Sequence, residues 1–429
     1  MSDDLPTKIG KYPVTREVGR GATSRVFLGR DPFADRDVAI KLVSEAPGVD
    51  TDLRRRFRKV FLNEASLVGK LIHPHIMAIY DADVTEKYSY IVMEYVDGPT
   101  LEHYCEVATL LPIERVVEIA FKCSLALEFA HRQGVIHRDI KPANILIGTQ
   151  GGDIKISDFG VALHAGGEHT HLQGVGSPAY MSPEQVQDKE LSHQTDIYSL
   201  GVVMYQLLTG KLPFVAVNKA SLLYQIINIE PLPPSTHRTD IPPQLDSVVM
   251  RALAKDPRNR HLSWTDFSRD LTQTYRHLEL PADSISDTEK FNAIKALPFF
   301  RSFRDVEIWE TVRIASFRRI QQDKTVIQEG DVGESFYVIV SGEAKVTKSG
   351  NALNTLDAGN CFGEILYFEE SRARRVITIS SITPMTLIEI KATALQKASD
   401  ACQKQFNQAF LRILIDRLTW ANSRLSTRN

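Results

Sequence analysis

Cysteine is sparse in this chain: Cys105, Cys123, Cys361 and Cys402 are scattered over 429 residues, with no CxxC pair and no histidine at metal-ligand spacing. That excludes a disulfide framework and a zinc site, and it fits thiols kept reduced in a cytosol. Long apolar runs are missing too. The longest, around Ile197–Leu208, is interrupted by Tyr198, Ser199 and Gln206, short of the roughly 20 residues a spanning helix needs. The start, MSDDLPTKIGKY, is acidic and polar and does not read as a signal peptide. Charge of one sign does not dominate: 51 basic residues face 53 acidic ones, so bulk attraction to nucleic acid is not expected. Internal repeats and low-complexity tracts are absent. The expectation is a soluble, cytoplasmic protein with neither nucleic acid nor membrane as partner.

What is present is enough for two or three domains, since 429 residues exceed one typical core. Residues 12–43 alternate with the period of strands, in YPVTREVG, SRVFLGRD and DVAIKLV. From Leu53 to Gly69 the spacing of Phe57, Val60, Phe61, Ala65 and Val68 becomes that of an amphipathic helix. Two more strand-like runs end in YSYIVMEYV, and beyond Gly98 the pattern is mostly helical. A β-rich lobe followed by an α-rich lobe is implied. The polar stretch LELPADSISD reads as a linker. After it comes a helical piece (Thr288–Phe317), then strand-like runs from Thr325 to Ile390 punctuated by Gly330, Gly333, Gly342, Gly350, Gly359 and Gly363. These point to a small antiparallel barrel or sandwich of jelly-roll type, closed by a helix from about Ala394 to Leu425. The reading is an α+β chain with a tail at 1–11, a first domain at 12–275, a linker at 276–289, a barrel at 290–400 and a helical segment at 401–429.

The chemistry-bearing motifs follow one another in a fixed order. Gly19-Arg20-Gly21-Ala22-Thr23-Ser24-Arg25-Val26 lies between two strand runs, where glycines let backbone amides approach a triphosphate. Val38-Ala39-Ile40-Lys41 follows on the next strand, and Glu64 sits in the next helix. Then come His137-Arg138-Asp139-Ile140-Lys141-Pro142-Ala143-Asn144, Asp158-Phe159-Gly160 and Ser182-Pro183-Glu184. Each alone is unremarkable; together, in this order, they resemble the eukaryotic-type protein kinases, particularly their bacterial Ser/Thr members, across residues 12–275.

The resemblance implies a bilobal kinase fold and the activity of a non-specific serine/threonine protein kinase, with ATP and Mg²⁺ as cofactors and proteins as substrates. Lys41 would hold the α/β-phosphates and be fixed by Glu64. Asn144 and Asp158 would ligate Mg²⁺, Asp139 would orient and deprotonate the substrate hydroxyl, and Lys141 would steady the transferred group. Gly19 and Gly21 would cover the phosphates. Val26, Ala39 and Leu146 would sandwich the adenine, with the backbone of Glu94–Val96, just after Met93, at its edge. Ser24 stands where a third loop glycine is usual, Ser177 where a threonine is usual, and Ser182 where an alanine is. In the segment from Asp158 to Glu184, Thr170 is the candidate autophosphorylation site, facing the alternative of a plain loop-tip residue. Glu184 and Arg260 are expected to form a structural ion pair. A dimeric scaffold holding ATP without turnover is the rival reading.

The second region, with IQEGDVGESFYVIVSGEAKV and LDAGNCFGEILYFEESRARRVITI, resembles the cyclic-nucleotide-binding domains of kinase regulatory subunits and catabolite-activator-type transcription factors. In those, a carboxylate accepts the ribose 2′-OH and an arginine meets the cyclic phosphate. Gly363 and Glu364 match the start of the phosphate cassette. Arg375 is the phosphate-binding candidate, with Arg374 second. Val376 follows where the family has Ala, Ser or Thr, so no hydroxyl points to cGMP, and cAMP is the expected effector; another ligand, or none, stays open. Asp323 replaces a glycine usual near the first barrel turn. On the final helix Leu411, Leu414, Leu418, Ala421 and Leu425 form a heptad-like seam for a homodimer, and Phe406, Phe410 and Ile413 form a second stripe suited to the barrel. Trp420 or Asn422 is the candidate to cap a bound base. No helix-turn-helix follows, so a DNA reader is not expected.

Overall fold

The computed structural model describes residues 5–21, 24–43, 61–63, 65–85, 88–149, 153–159, 178–275, 287–364, 367 and 374–426. The chain divides into two compact units, Met1–Leu280 and Pro281–Asn429.

The first unit opens with a six-stranded antiparallel sheet of order β1-β2-β3-β4-β6-β5. Its strands are β1 (Lys8–Ile9), β2 (Tyr12–Arg20), β3 (Ser24–Asp31), β4 (Arg36–Val43), β5 (Ile79–Val84) and β6 (Ser89–Glu94). Residues 8–9 correct the reading of 1–11 as a tail: Ile9 pairs with Tyr12 through a turn at Gly10 (φ 55°), and its side chain is buried. Along β4 the two-residue period of a strand decides which side chains reach the cleft. Val38, Ile40 and Leu42 pack on one face with Phe27, Tyr90 and Val92. Ala39 and Lys41 therefore face the other way, with Lys41 registered against Val26 on β3 and Ile91 on β6. Residues 61–63 and 65–68 are helical, and Phe61 packs beneath the sheet on Val43, Val84 and Ile91.

Among the described residues the rest of this unit is mainly helical, save for the short hairpin of β7 (Ile145–Ile147) and β8 (Ile154–Ile156). Its helices are α1 (Ile113–Arg132), α2 (Pro183–Val186), α3 (His193–Thr209), α4 (Lys219–Asn228), α5 (Pro243–Ala252) and α6 (Trp264–Tyr275). Helix α3 is buried on nearly every side, as expected for the central post of a helical lobe. It starts at a Ser192 cap and stops at Gly210, whose φ of 71° few other residues adopt readily. The ion pair expected of Glu184 and Arg260 forms in a bidentate arrangement at 2.7 and 2.8 Å, both side chains buried.

The second unit begins with α7 (Asp287–Ala296) and α8 (Asp305–Ile314). Two four-stranded antiparallel sheets follow, of order β10-β15-β12-β13 and β14-β11-β16-β9. The strands are β9 (Ala315–Ile320), β10 (Thr325–Ile327), β11 (Ser335–Ser341), β12 (Ala344–Lys348), β13 (Asn351–Leu356), β14 (Cys361–Phe362), β15 (Thr378–Ser381) and β16 (Met385–Lys391). Ile327, Tyr337, Ile339, Val346, Phe362, Ile379 and Leu387 fill the space between them. Helix α7 starts inside the span read as linker, because Thr288, Phe291 and Ile294 have a core to bury. The chain then closes with α9 (Ala392–Leu395) and α10 (Asp400–Ser426). On α10, Cys402, Phe406, Ala409 and Phe410 are buried at helical spacing, with Phe406 and Phe410 against Phe299 and Phe336. Asp323, in the place of a turn glycine, does take a left-handed backbone (φ 59°).

Candidate active site and nucleotide cavity

The catalytic loop is held from below by α3. The buried Asp196 carboxylate accepts hydrogen bonds from the backbone N–H groups of His137 and Arg138, both at 2.8 Å. Burial still pushes its carboxyl above the usual range, the nearby His137 and these donors only partly offsetting it. The Arg138 carbonyl accepts from Gln185 Nε2 at 2.8 Å. These contacts pin Arg138 in the left-handed region (φ 68°), and Asp158 sits there too (φ 61°). Such strained residues persist only where surroundings over-determine them, which is common at functional sites.

That scaffold brings together most of the residues singled out from sequence. Lys141 Nζ lies 2.8 Å from Asp139 Oδ2. Asn144 Nδ2 donates to the Asp139 carbonyl at 2.7 Å and to its Oδ2 at 3.0 Å. The Asn144 carbonyl in turn accepts from the Ser157 N–H at 2.8 Å, which fixes Asp158 beside the loop. Lys41 Nζ reaches Asp158 Oδ1 at 2.7 Å. Burial raises the Asp158 carboxyl, but the neighbouring Lys41 ammonium outweighs it and the net shift is downward. Glu64, Gly160 and Thr170 lie outside the described residues.

The donor set fits Mg²⁺. Asn144 spends its amide hydrogens on Asp139, so its Oδ1 is left as an acceptor, and Asp158 is held ionised. Both are hard oxygen donors, and Mg²⁺ is commonly held by one or two such groups together with substrate phosphates. Among the described residues no group of three or more His, Cys, Asp or Glu gathers as a metal cage of its own.

The residues expected around the adenine belong to an apolar cluster. Ala39, Met77 and Met93 form the buried centre of that cluster, with Val26, Tyr95, Val96 and Leu146 packed around them. Sequence reasoning missed Met77. The N–H of Glu94 donates to the Ala78 carbonyl, and its carboxylate pairs with Lys155 at 2.7 Å. Gly21 donates its N–H to the Ser24 carbonyl at 2.8 Å, closing the glycine-rich hairpin beyond Gly19, which pairs with Val26.

The second unit contains a cavity of about 300 Å³. Its charged end is made by Gly363, Glu364, Arg374, Arg375 and Arg417, and its apolar walls by residues such as Val346, Leu356 and Val376; Asn354 also lines it. Glu364 is 1% exposed and Arg375 7%. Arg375 donates to the carbonyls of Ser335 at 2.6 Å and Gly363 at 3.4 Å, and burial lowers its pKa from the ordinary value. Among the described residues it has no carboxylate in contact. Arg374 is exposed and donates instead to the Gly330 carbonyl at 2.8 Å. Two glycines make room for Arg375: a Cβ at Gly333 or Gly363 would collide with its guanidinium. Sequence reasoning missed Arg417, which comes from α10 and donates to Glu364 Oε1 at 2.5 Å. The four cysteines are buried and unpaired, with burial pushing the Cys105 and Cys402 thiols up to about 12. Among the described residues no helix is long and apolar enough to cross a membrane.

Comparison with known proteins finds a family match in each of the two units. The protein kinase domain family matches residues 12–270, and the cyclic nucleotide-binding domain family matches residues 317–401. The serine/threonine-protein kinase PknB of Mycolicibacterium smegmatis is 36% identical over 301 residues, 68% of this chain and 47% of that protein. PknB of Mycobacterium leprae is 37% identical over 272 residues, 62% of this chain and 43% of that protein. The chain thus spans just under half the length of these relatives. Among solved structures, the crystal structure of the Mycobacterium tuberculosis PknI kinase domain aligns with a TM-score of 0.52 at 28% identity, covering 63% of this chain and all (100%) of that one. With more than half of its residues inside the matched kinase domain, the chain belongs to the protein kinase family and carries a cyclic nucleotide-binding domain behind it.

Proposed function

We propose that this protein is a serine/threonine kinase that transfers the γ-phosphoryl group of ATP to protein hydroxyls, itself included, under control of a cyclic nucleotide bound in the second unit. The observation that carries the reading is the placement of Asp139. Its carboxylate is aimed by Lys141 and Asn144 while Lys41 meets Asp158. In the reaction Asp139 accepts the proton of the attacking hydroxyl as the new O–P bond forms and the β–γ bridging bond breaks. Lys141 neutralises charge on the moving phosphoryl group. Mg²⁺, when bound with ATP, screens the phosphate oxygens and the leaving group. Asn144 and Asp158 supply its protein ligands, and Lys41 shifts from Asp158 to the phosphates. Val96, whose backbone makes no hydrogen bond among the described residues, offers the base edge its N–H and C=O. Thr170 is the proposed site of autophosphorylation.

In the second unit, Glu364 takes the ribose hydroxyl and Arg375 the cyclic phosphate; the absence of a hydroxyl at Val376 favours cAMP over cGMP. A homodimer through the exposed Leu411, Leu414 and Leu418 face of α10 completes the assembly. A scaffold without turnover would leave the Asp139–Asn144 geometry without a role. Incubation with γ-labelled ATP and Mg²⁺ tests the reading: label enters the wild-type chain and not Asp139→Asn. Equal labelling, or none in either, counts against it.

A further inference from the structure

The catalytic loop turns on one peptide group, that between Arg138 and Asp139. Arg138 stands in the left-handed region (φ 68°), so local backbone preference does not hold this peptide plane and its hydrogen bonds must. On one side the Asp139 N–H donates to His137 Nδ1 at 3.2 Å. His137 can accept there because its Nε2 faces the Ser157 carbonyl at 2.9 Å, which keeps the ring proton on Nε2. On the other side the Arg138 carbonyl accepts from Gln185 Nε2 at 2.8 Å.

Gln185 is itself fixed. It is 7% exposed and lies on α2, where it forms a capping box with Ser182. The Ser182 N–H donates to Gln185 Oε1 at 3.0 Å, and the Gln185 N–H donates to Ser182 Oγ at 3.3 Å. A backbone N–H at one end of the side-chain amide and a carbonyl at the other leave it a single orientation. The Asp139 carboxylate is thus set by Lys141 and Asn144, while the peptide that carries it is set from a residue 47 positions beyond Arg138.

We propose that Gln185 is a positioning residue for phosphoryl transfer: its side-chain N–H fixes the plane of the Arg138–Asp139 peptide and so the direction in which the Asp139 carboxylate meets the substrate hydroxyl. This rests on the reading of Asp139 as the base. Without that donor a buried carbonyl is left unsatisfied, the peptide is free to rotate, and the base is misplaced. Misplacement of a reacting group slows the chemical step itself, whereas ATP is held by other groups, Lys41 among them.

Self-labelling of the full chain from γ-labelled ATP and Mg²⁺ tests the proposal, with initial rates over a range of ATP concentrations separating the maximal rate from the KM for ATP. Gln185→Met keeps the volume without a polar group. Gln185→Glu keeps the acceptor that the Ser182 N–H uses and loses the donor to Arg138. Gln194→Met is the control, since Gln194 Nε2 makes the same kind of bond outside the catalytic loop, to the Pro257 carbonyl at 2.7 Å. Isothermal titration with the β,γ-imido analogue of ATP counts the functional nucleotide sites in each preparation. Both Gln185 variants should lose about 10-fold in maximal rate, with KM and the number of sites unchanged, and Gln194→Met should keep the wild-type rate. Wild-type rates in both Gln185 variants overturn the proposal, as does a loss matched by fewer sites or shared by Gln194→Met. No labelling of the wild type overturns the kinase reading itself.

Discussion

Asp139 illustrates how much a single side chain depends on atoms far from it in sequence. Its carboxylate is set by Lys141 and Asn144, two and five residues on, yet the loop carrying all three hangs from Asp196 on α3. Asp139→Asn should therefore lower the phosphoryl-transfer rate by roughly 100-fold or more while leaving ATP affinity nearly unchanged, since general-base contributions are of that order. Steady-state kinetics with separate determination of KM decides it, and an equal loss in ATP affinity would contradict the role. The candidate residues Asp139, Lys141 and Asn144 were legible because their spacing is local. Met77 and Arg417 were not, because each reaches its site only through the fold. Gly333 is a case between: its sequence marks a turn, but not that a Cβ there would strike Arg375. Gly333→Ala should weaken cAMP binding about 10-fold, the scale of a lost charge-assisted hydrogen bond, with little change in melting temperature. Calorimetry and melting curves on one preparation check both halves.

At the scale of elements, α10 carries two stripes with different fates. Phe406 and Phe410 are wholly buried among Phe299, Phe303 and Phe336, whereas Leu411, Leu414 and Leu418 face outward at 58, 37 and 63% exposure. Phe406→Ala should thus destabilise the second unit by about 3–5 kcal/mol, measured by denaturant unfolding. Leu414→Glu with Leu418→Glu should leave that stability nearly intact and shift sedimentation toward a single chain. Unchanged sedimentation of an associated wild type would remove α10 from the interface. Both stripes could be read from helical periodicity. The start of the barrel could not: β9 lies at the edge of its sheet with all six residues half-exposed or exposed, Ser316, Arg318 and Arg319 among them, and so lacks the apolar rhythm that marked the central strands.

For the molecule as a whole, buried histidines set the response to acid. Burial pushes His73 down to about 3, and His75 well below the ordinary 6.5. Both stay neutral in the folded first unit, while the unfolded chain takes up protons below about 6.5. Stability is therefore full above that pH and falls as pH drops from 6.5 toward 3, by about 1.4 kcal/mol per pH unit for each histidine. Melting temperatures between pH 7.5 and 5 should decline, and a flat profile would contradict the burial of neutral rings. The most direct test of the whole account is kinase activity titrated with cAMP, in wild type and in Arg375→Ala. cAMP should change the wild-type rate, in either direction, by roughly 5-fold or more, and Arg375→Ala should not respond. A wild-type rate that stays flat across the titration would contradict it.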